Sequence, residues 1–146
     1  MGLSQISAGM YVNNNQTVLE DFSVIGLSKT HATNSLVTDS AASLTSMACE
    51  EKTYNGVLGI NSKNKKLQSI LEICEENGYN TGLIANSSIV HATPASFYAN
   101  IDSRYKYEKI ALQLSESNVD YFIGGGKKYF NKREDNRNLI KEMDKI

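Results

Sequence analysis

The sequence predicts an α/β fold in which a mostly parallel sheet is covered by helices. Two patterns carry that expectation. Apolar residues at helical spacing alternate with short, continuously apolar runs bounded by turn residues. The order is helix, strand, helix, strand, and parallel strands need crossover connections of helical length. A third observation bounds the answer. The chain has 146 residues, 40% hydrophobic and 21% charged, which suits one folded domain and not a disordered segment.

Each element has its own signal. Asn13-Asn14-Asn15 reads as a surface turn, because asparagine tolerates left-handed backbone. Residues 40–48 are small and helix-tolerant and follow the apolar pair Leu36-Val37, so a helix starts at or near Ser40. Leu67, Ile70, Leu71 and Cys74 fall at i, i+3, i+4 and i+7, one apolar face. Asn61 or Ser62 is the expected cap of that helix and Gly78 its end. Thr81-Gly82-Leu83-Ile84-Ala85 is a buried-strand pattern. Pro94, the single proline, suits a first helical turn and makes Thr93 the expected N-cap. Tyr107, Ile110, Ala111 and Leu114 share one helical face. Val119-Asp120-Tyr121-Phe122-Ile123, before Gly124-Gly125-Gly126, is a second strand pattern. A last helix runs through Leu139, Ile140, Met143 and Ile146. In such sheets ligands sit beyond the carboxyl ends of the strands.

Composition excludes several function classes. Fifteen Lys and Arg against 16 Asp and Glu give a net charge of −1, which argues against a nucleic-acid or anionic-membrane surface. The basic run Lys127, Lys128, Lys132 and Arg133 reads as a solvated face. No apolar run is long enough for a membrane span. The start lacks the basic and apolar regions of a secretory signal, and Ile6 stands where a myristoylation motif wants Ser or Thr. Cys49 and Cys74 form neither a disulfide framework nor a zinc signature, and Cys74 reads as a small buried hydrophobe.

Some residues carry more specific chemistry. Ser40 stands at a helix start, where free N–H groups and the helix dipole favour an anion. A cap formed by Asp39 or Ser40 accounts for the same spacing. The Gly-x-Ser-x-Gly elbow of serine hydrolases is absent. A base for Ser40 would have to be His31 or His91, and spacing joins neither to it. His91 closes the first strand pattern just before a helix. Arg104 is one of three arginines, and its fork suits a phosphate better than a lysine does.

In order along the chain stand Val37-Thr38-Asp39-Ser40-Ala41-Ala42-Ser43, Lys52-Thr53-Tyr54-Asn55-Gly56, His91-Ala92-Thr93-Pro94, Ser103-Arg104 and Gly124-Gly125-Gly126. This series closely resembles the alkaline phosphatase family over nearly the whole chain, from Met1 to about Phe130. The resemblance implies part of a three-layer αβα sandwich, with residues 1–146 as a single partial domain. It implies hydrolysis of phosphate monoesters on two zinc ions and one magnesium ion. Ser40 then matches the nucleophile that forms a phosphoseryl intermediate and touches zinc. Arg104 matches the arginine that grips the phosphate, and Asp39 the acid that positions it. Thr93 matches a magnesium ligand. His91 matches a position, aspartate in some members and histidine in others, close to the third metal. Family members are usually homodimers, and periplasmic, secreted or membrane-anchored.

The departures are equally specific. The family carries a Gly-Asp-Gly-Met-Gly motif on its first strand, whose Asp bridges zinc and magnesium. Met1-Gly2-Leu3-Ser4 reads as that motif cut before its methionine, so the bridging Asp and the first strand are expected to be missing from this segment. The remaining metal ligands belong to the family's later half. A catalytic zinc takes about three protein ligands, so two zincs need about six. The chain offers two histidines and no such constellation. The expectation is a segment with little or no phosphatase activity of its own, marginal stability and open strand edges. A non-catalytic phosphate-binding or degenerate fragment, or one part of a split enzyme, is the alternative. Sulfatases and phosphoglycerate mutases, which share the metal-site architecture, fit the Asp-Ser-Ala and His-Ala-Thr-Pro motifs poorly.

Overall fold

The computed structural model describes residues 2–143. Helix α1 (Leu3–Val12) and a 3-10 turn (Val18–Asp21) come first, followed by α2 (Ser40–Cys49) and α3 (Ile70–Glu76). Strand β1 (Gly82–Ser88) leads into α4 (Ala92–Ala95) and α5 (Tyr107–Ser115). Strand β2 (Tyr121–Gly125), α6 (Lys128–Asn131) and α7 (Leu139–Met143) are the last elements among the described residues.

The α/β expectation holds. β1 and β2 pair in parallel, Gly82 opposite Tyr121 and Ile84 opposite Ile123. The register then shifts so that Ser88 meets Gly125. The crossover between them carries α4 and α5, as a parallel pair requires. The predicted face of α5 is the buried one: Ile110, Ala111 and Leu114 lie in the core with Val90, Phe130 and Leu139. α2 packs on α4 through small residues, Ala41, Ala92 and Ala95, all fully buried. Their size lets the two helices approach, and buried Ser96 donates across to the Ala41 carbonyl at 3.3 Å. Residues 2–31 contain no buried residue, and Val24, Ile25 and Leu27 stand fully open to solvent.

Several boundaries differ from the sequence reading, each for a local reason. α3 is capped by Ser69, not by Asn61 or Ser62. Ser69 and Glu72 form a capping box, which satisfies two helix-end donors at once. Asn61 is used otherwise: its Oδ1 accepts from the amides of Lys63 and Lys65, closing a turn through left-handed Asn64. Leu67 therefore precedes the helix, and its amide bonds the Gly59 carbonyl. Cys74 is half-buried and not a core residue. β1 runs three residues past Ala85, while β2 begins after Asp120, whose carboxylate takes the Thr81 amide. Arg133 does not belong to a solvated face. It is buried and donates to the carbonyls of Glu108 and Tyr129 and to the Asp135 carboxylate. The Asn13–Asn15 turn is present, with Asn14 and Asn15 left-handed. Ile146 lies outside the described residues.

One glycine is fixed by space as well as by backbone. Gly59 has φ +58°, and a Cβ there would overlap the Ala99 carbonyl oxygen. Leu58, next to it, exchanges backbone hydrogen bonds with Ile101 at 2.8 and 2.9 Å, so neither segment is free to retreat. Gly59→Ala is expected to destabilise the fold by about 2 kcal/mol or more, combining left-handed strain with overpacking. Urea unfolding measures it, and a variant as stable as the parent would contradict the packing described.

Candidate active site at the start of helix α2

Four separated stretches of chain converge where α2 begins. Asp39 is the N-cap, its Oδ1 accepting from the Ala42 amide at 2.9 Å. That leaves Ser40 as the first helical residue, half-buried, beside N–H groups that the helix itself does not use. The second Asp39 oxygen accepts from the Gly56 amide at 3.0 Å and from Arg104 Nη1 at 3.0 Å. Arg104 Nη1 also donates to Ser40 Oγ at 2.8 Å. Its other terminal nitrogen, Nη2, lies 3.1 Å from His91 Nε2. The guanidinium thus spans the serine, the aspartate and the histidine, and its side chain is only 15% exposed.

His91 sits just past the carboxyl end of β1. It, and not Thr93, caps α4, its Nδ1 facing the Thr93 amide at 3.4 Å. Thr93 is exposed in the first turn of that helix. The cap moved because the strand's end turns at Ser88–His91, where the His91 amide bonds the Ser88 carbonyl. Both ring nitrogens of His91 therefore face N–H donors. A neutral imidazole has a single acceptor nitrogen, so it satisfies one of the two contacts at a time.

Burial alone would raise the Asp39 carboxyl. The Ala42 amide, the Arg104 guanidinium and the Gly56 amide outweigh it and hold the group below its ordinary value of 3.8. Asp39 is therefore an anion over the whole neutral range, and its charge faces the arginine fork.

The structure brings Asp39, Ser40, His91 and Arg104 together and sets Thr93 two residues beyond His91, in the helix that His91 caps. It does not bring His31 into the group. Lys52 Nζ donates to the carbonyls of Lys29 and His31 at 2.7 and 2.6 Å, fixing that main chain, and no hydrogen bond joins His31 or His91 to Ser40. Sequence reasoning assigned no chemistry to Asn55 and Gly56, although both lie in the cluster. An Asn-Gly pair is a turn signal that could have marked the position, but nothing local in it points to Asp39.

Among the described residues no group of three or more His, Cys, Asp or Glu stands where it could hold a metal ion. Both Asp39 oxygens are already taken by N–H donors. Ser40, His91 and Thr93 by themselves thus do not make a zinc or magnesium site.

The fold and this cluster define an α/β protein with a serine and an arginine fork gathered at a helix N-terminus. The comparisons carry that class to a family. The alkaline phosphatase family model matches residues 2–145. Alkaline phosphatase 4 of Bacillus subtilis is 38% identical over 139 residues, covering 90% of this chain and 30% of that protein. The repressible alkaline phosphatase of Saccharomyces cerevisiae is 39% identical over 136 residues, covering 81% of this chain and 24% of the yeast protein. The solved alkaline phosphatase from the Antarctic bacterium TAB5 superposes with a TM-score of 0.93 at 41% identity, covering 99% of this chain and 42% of that one. A histidine-to-aspartate mutant of the TAB5 enzyme, with Mg bound in its M3 site, matches equally well. The chain belongs to the alkaline phosphatase family, and it spans less than half the length of these relatives.

Proposed function

We propose that this chain carries the nucleophile and the phosphate clamp of an alkaline phosphatase-type phosphomonoesterase. Ser40 is the nucleophile, Arg104 holds two phosphate oxygens, and Asp39 orients Arg104. The observation that supports this most directly is the Arg104 fork bonded at once to Ser40 Oγ and Asp39. A phosphate entering between the helix start and the guanidinium takes over hydrogen bonds that Arg104 now gives to its neighbours. Its phosphorus then lies within reach of Ser40 Oγ. In the reaction the Ser40 Oγ–P bond forms as the ester P–O bond breaks, the serine proton is lost and the alcohol leaves with a proton. Water then cleaves the phosphoserine.

To attack phosphorus, the Ser40 hydroxyl has to give up its proton. Ser40 Oγ receives a hydrogen bond from Arg104, and no base among the described residues accepts from it. A hydroxyl in that state is a weak nucleophile. Zinc and magnesium, which the family resemblance implies, would supply activation of that hydroxyl in the complete enzyme. His91 and Thr93 are the residues we assign to the metal side, with the other ligands coming from the part of the fold that the relatives have beyond this chain's span. The same resemblance supports a periplasmic or secreted homodimer for the complete enzyme. No helix among the described residues is long and apolar enough to cross a membrane.

A second reading, phosphate binding without hydrolysis, is favoured by the lack of a metal-holding group among the described residues. One experiment separates the two. The chain is incubated with an aryl phosphate, with and without added zinc and magnesium, quenched in acid and mapped by mass spectrometry. Catalysis by Ser40 gives a phosphoryl adduct on that residue, absent in Ser40→Ala. Binding without adduct or turnover selects the second reading. Turnover that survives Ser40→Ala overturns the assignment of the nucleophile.

A further inference from the structure

We propose that Asn55 and Gly56 form a positioning clip that fixes the start of α2, and with it Ser40, relative to Arg104. The inference rests on the reading of Ser40 and Arg104 given above. It concerns a stretch, Lys52-Thr53-Tyr54-Asn55-Gly56, to which that reading gives no role.

The hydrogen bonds define the clip. Asn55 Nδ2 donates to the Val37 carbonyl at 2.9 Å, and Asn55 Oδ1 accepts from the Asp39 amide at 2.9 Å. One carboxamide therefore pairs with residues 37 and 39 as a neighbouring backbone would. Gly56 continues the contact. Its amide donates to Asp39 Oδ2 at 3.0 Å, and its carbonyl accepts the Arg104 amide at 2.7 Å. Two adjacent residues thus grip the segment before the nucleophile on one side and the main chain of the clamp on the other. The Asn55 amide is itself anchored on Asn34 Oδ1 at 3.0 Å.

The chemistry is specific at both positions. Only a short carboxamide offers a donor and an acceptor at this reach: aspartate cannot donate, and alanine does neither. Gly56 has φ +84°, a conformation that strains any residue with a side chain. The loop has other anchors of its own. Thr53 Oγ1 already holds the Ile60 carbonyl at 2.6 Å, Thr45 Oγ1 takes the Gly59 amide at 3.1 Å, and Leu58 and Ile101 bond each other twice. Asn55 spends its side chain on the site and not on the loop.

The test uses the whole chain, inorganic phosphate as probe, and two readouts. In Asn55→Ala the Asp39 amide is expected to exchange hydrogen about tenfold faster, while Leu58 and Ile101 keep their protection. Phosphate affinity is expected to fall about tenfold in the same sample, the effect of a misplaced pair of charge-assisted bonds. Faster exchange at Asp39 with unchanged phosphate affinity overturns the proposal and leaves Asn55 a loop residue. If Asn55→Ala does not fold, Asn34→Ala removes only the anchor of the Asn55 amide. It is expected to cost about threefold in affinity, and no loss counts against the clip. Wild-type binding that is indifferent to Arg104→Ala overturns the functional reading itself. Binding that needs Arg104 but ignores Asn55 overturns the clip alone.

Discussion

Arg104→Ala is expected to weaken inorganic phosphate binding by roughly two to four orders of magnitude. A charge-assisted hydrogen bond contributes about 1.5–3 kcal/mol, and the fork gives two to a phosphate. At about 1.4 kcal/mol per tenfold, loss of both spans that range. The environment makes the upper part of it the better expectation. The Arg104 side chain is largely buried, so solvent does not replace what the guanidinium supplies. The substitution also leaves the Asp39 carboxylate facing the anion without its cation, which adds repulsion. Arg104→Lys separates charge from geometry. A lysine keeps the positive charge and loses the planar fork, so it should recover part of the loss and not all of it. Isothermal titration at one fixed ionic strength reads the affinity, and a thermal melt confirms that each variant is folded. An alanine variant within about threefold of the parent would remove Arg104 from the clamp.

What the sequence made legible follows the range of the interactions. The apolar face of α5 was readable because Ile110, Ala111 and Leu114 answer to a local period, and all three are buried. The two strands were readable from their apolar runs as strands but not as buried ones, since Ile84, Tyr121 and Ile123 are exposed. Their ends were not readable, because the bulge that carries β1 to Ser88 depends on its pairing with Gly125. The cap of α3 was misread since Asn61 and Ser69 are both good caps, and a turn at Asn64 decides between them. Arg133 was misread because burial of a charge depends on partners such as Glu108, 25 positions away. The site shows the same limit. Asp39 as a cap was legible within its own helix. Its bonds to Gly56 and Arg104 span 17 and 65 positions, and no periodicity encodes those. Ser40, His91 and Arg104 entered the reading together through the family resemblance, and the fold sets them side by side.

Asp39→Ala is expected to be the most costly substitution for stability near the site, by about 2–4 kcal/mol. Loss of an N-cap accounts for about 1–2 kcal/mol. The Gly56 amide and the Arg104 guanidinium, both left without their acceptor, account for about as much again. Asp39→Asn divides the two contributions. Asparagine is as good a cap, so it keeps the bond to the Ala42 amide, but it carries no charge for Arg104. The cost of the asparagine variant should therefore be the smaller. Acid exposes the same interaction in the parent. The folded-state carboxyl titrates below its ordinary value of 3.8, so the unfolded chain takes up the proton first. The stability that Asp39 contributes as an anion is complete above 3.8 and is lost as the pH falls through the lower folded value. Urea midpoints of parent and Asp39→Asn should accordingly differ at neutral pH and converge in acid. A gap that stays constant through the carboxylate range would mean that the Asp39 charge contributes nothing to the fold, and that Arg104 is held in place by Ser40, His91 and its own backbone alone.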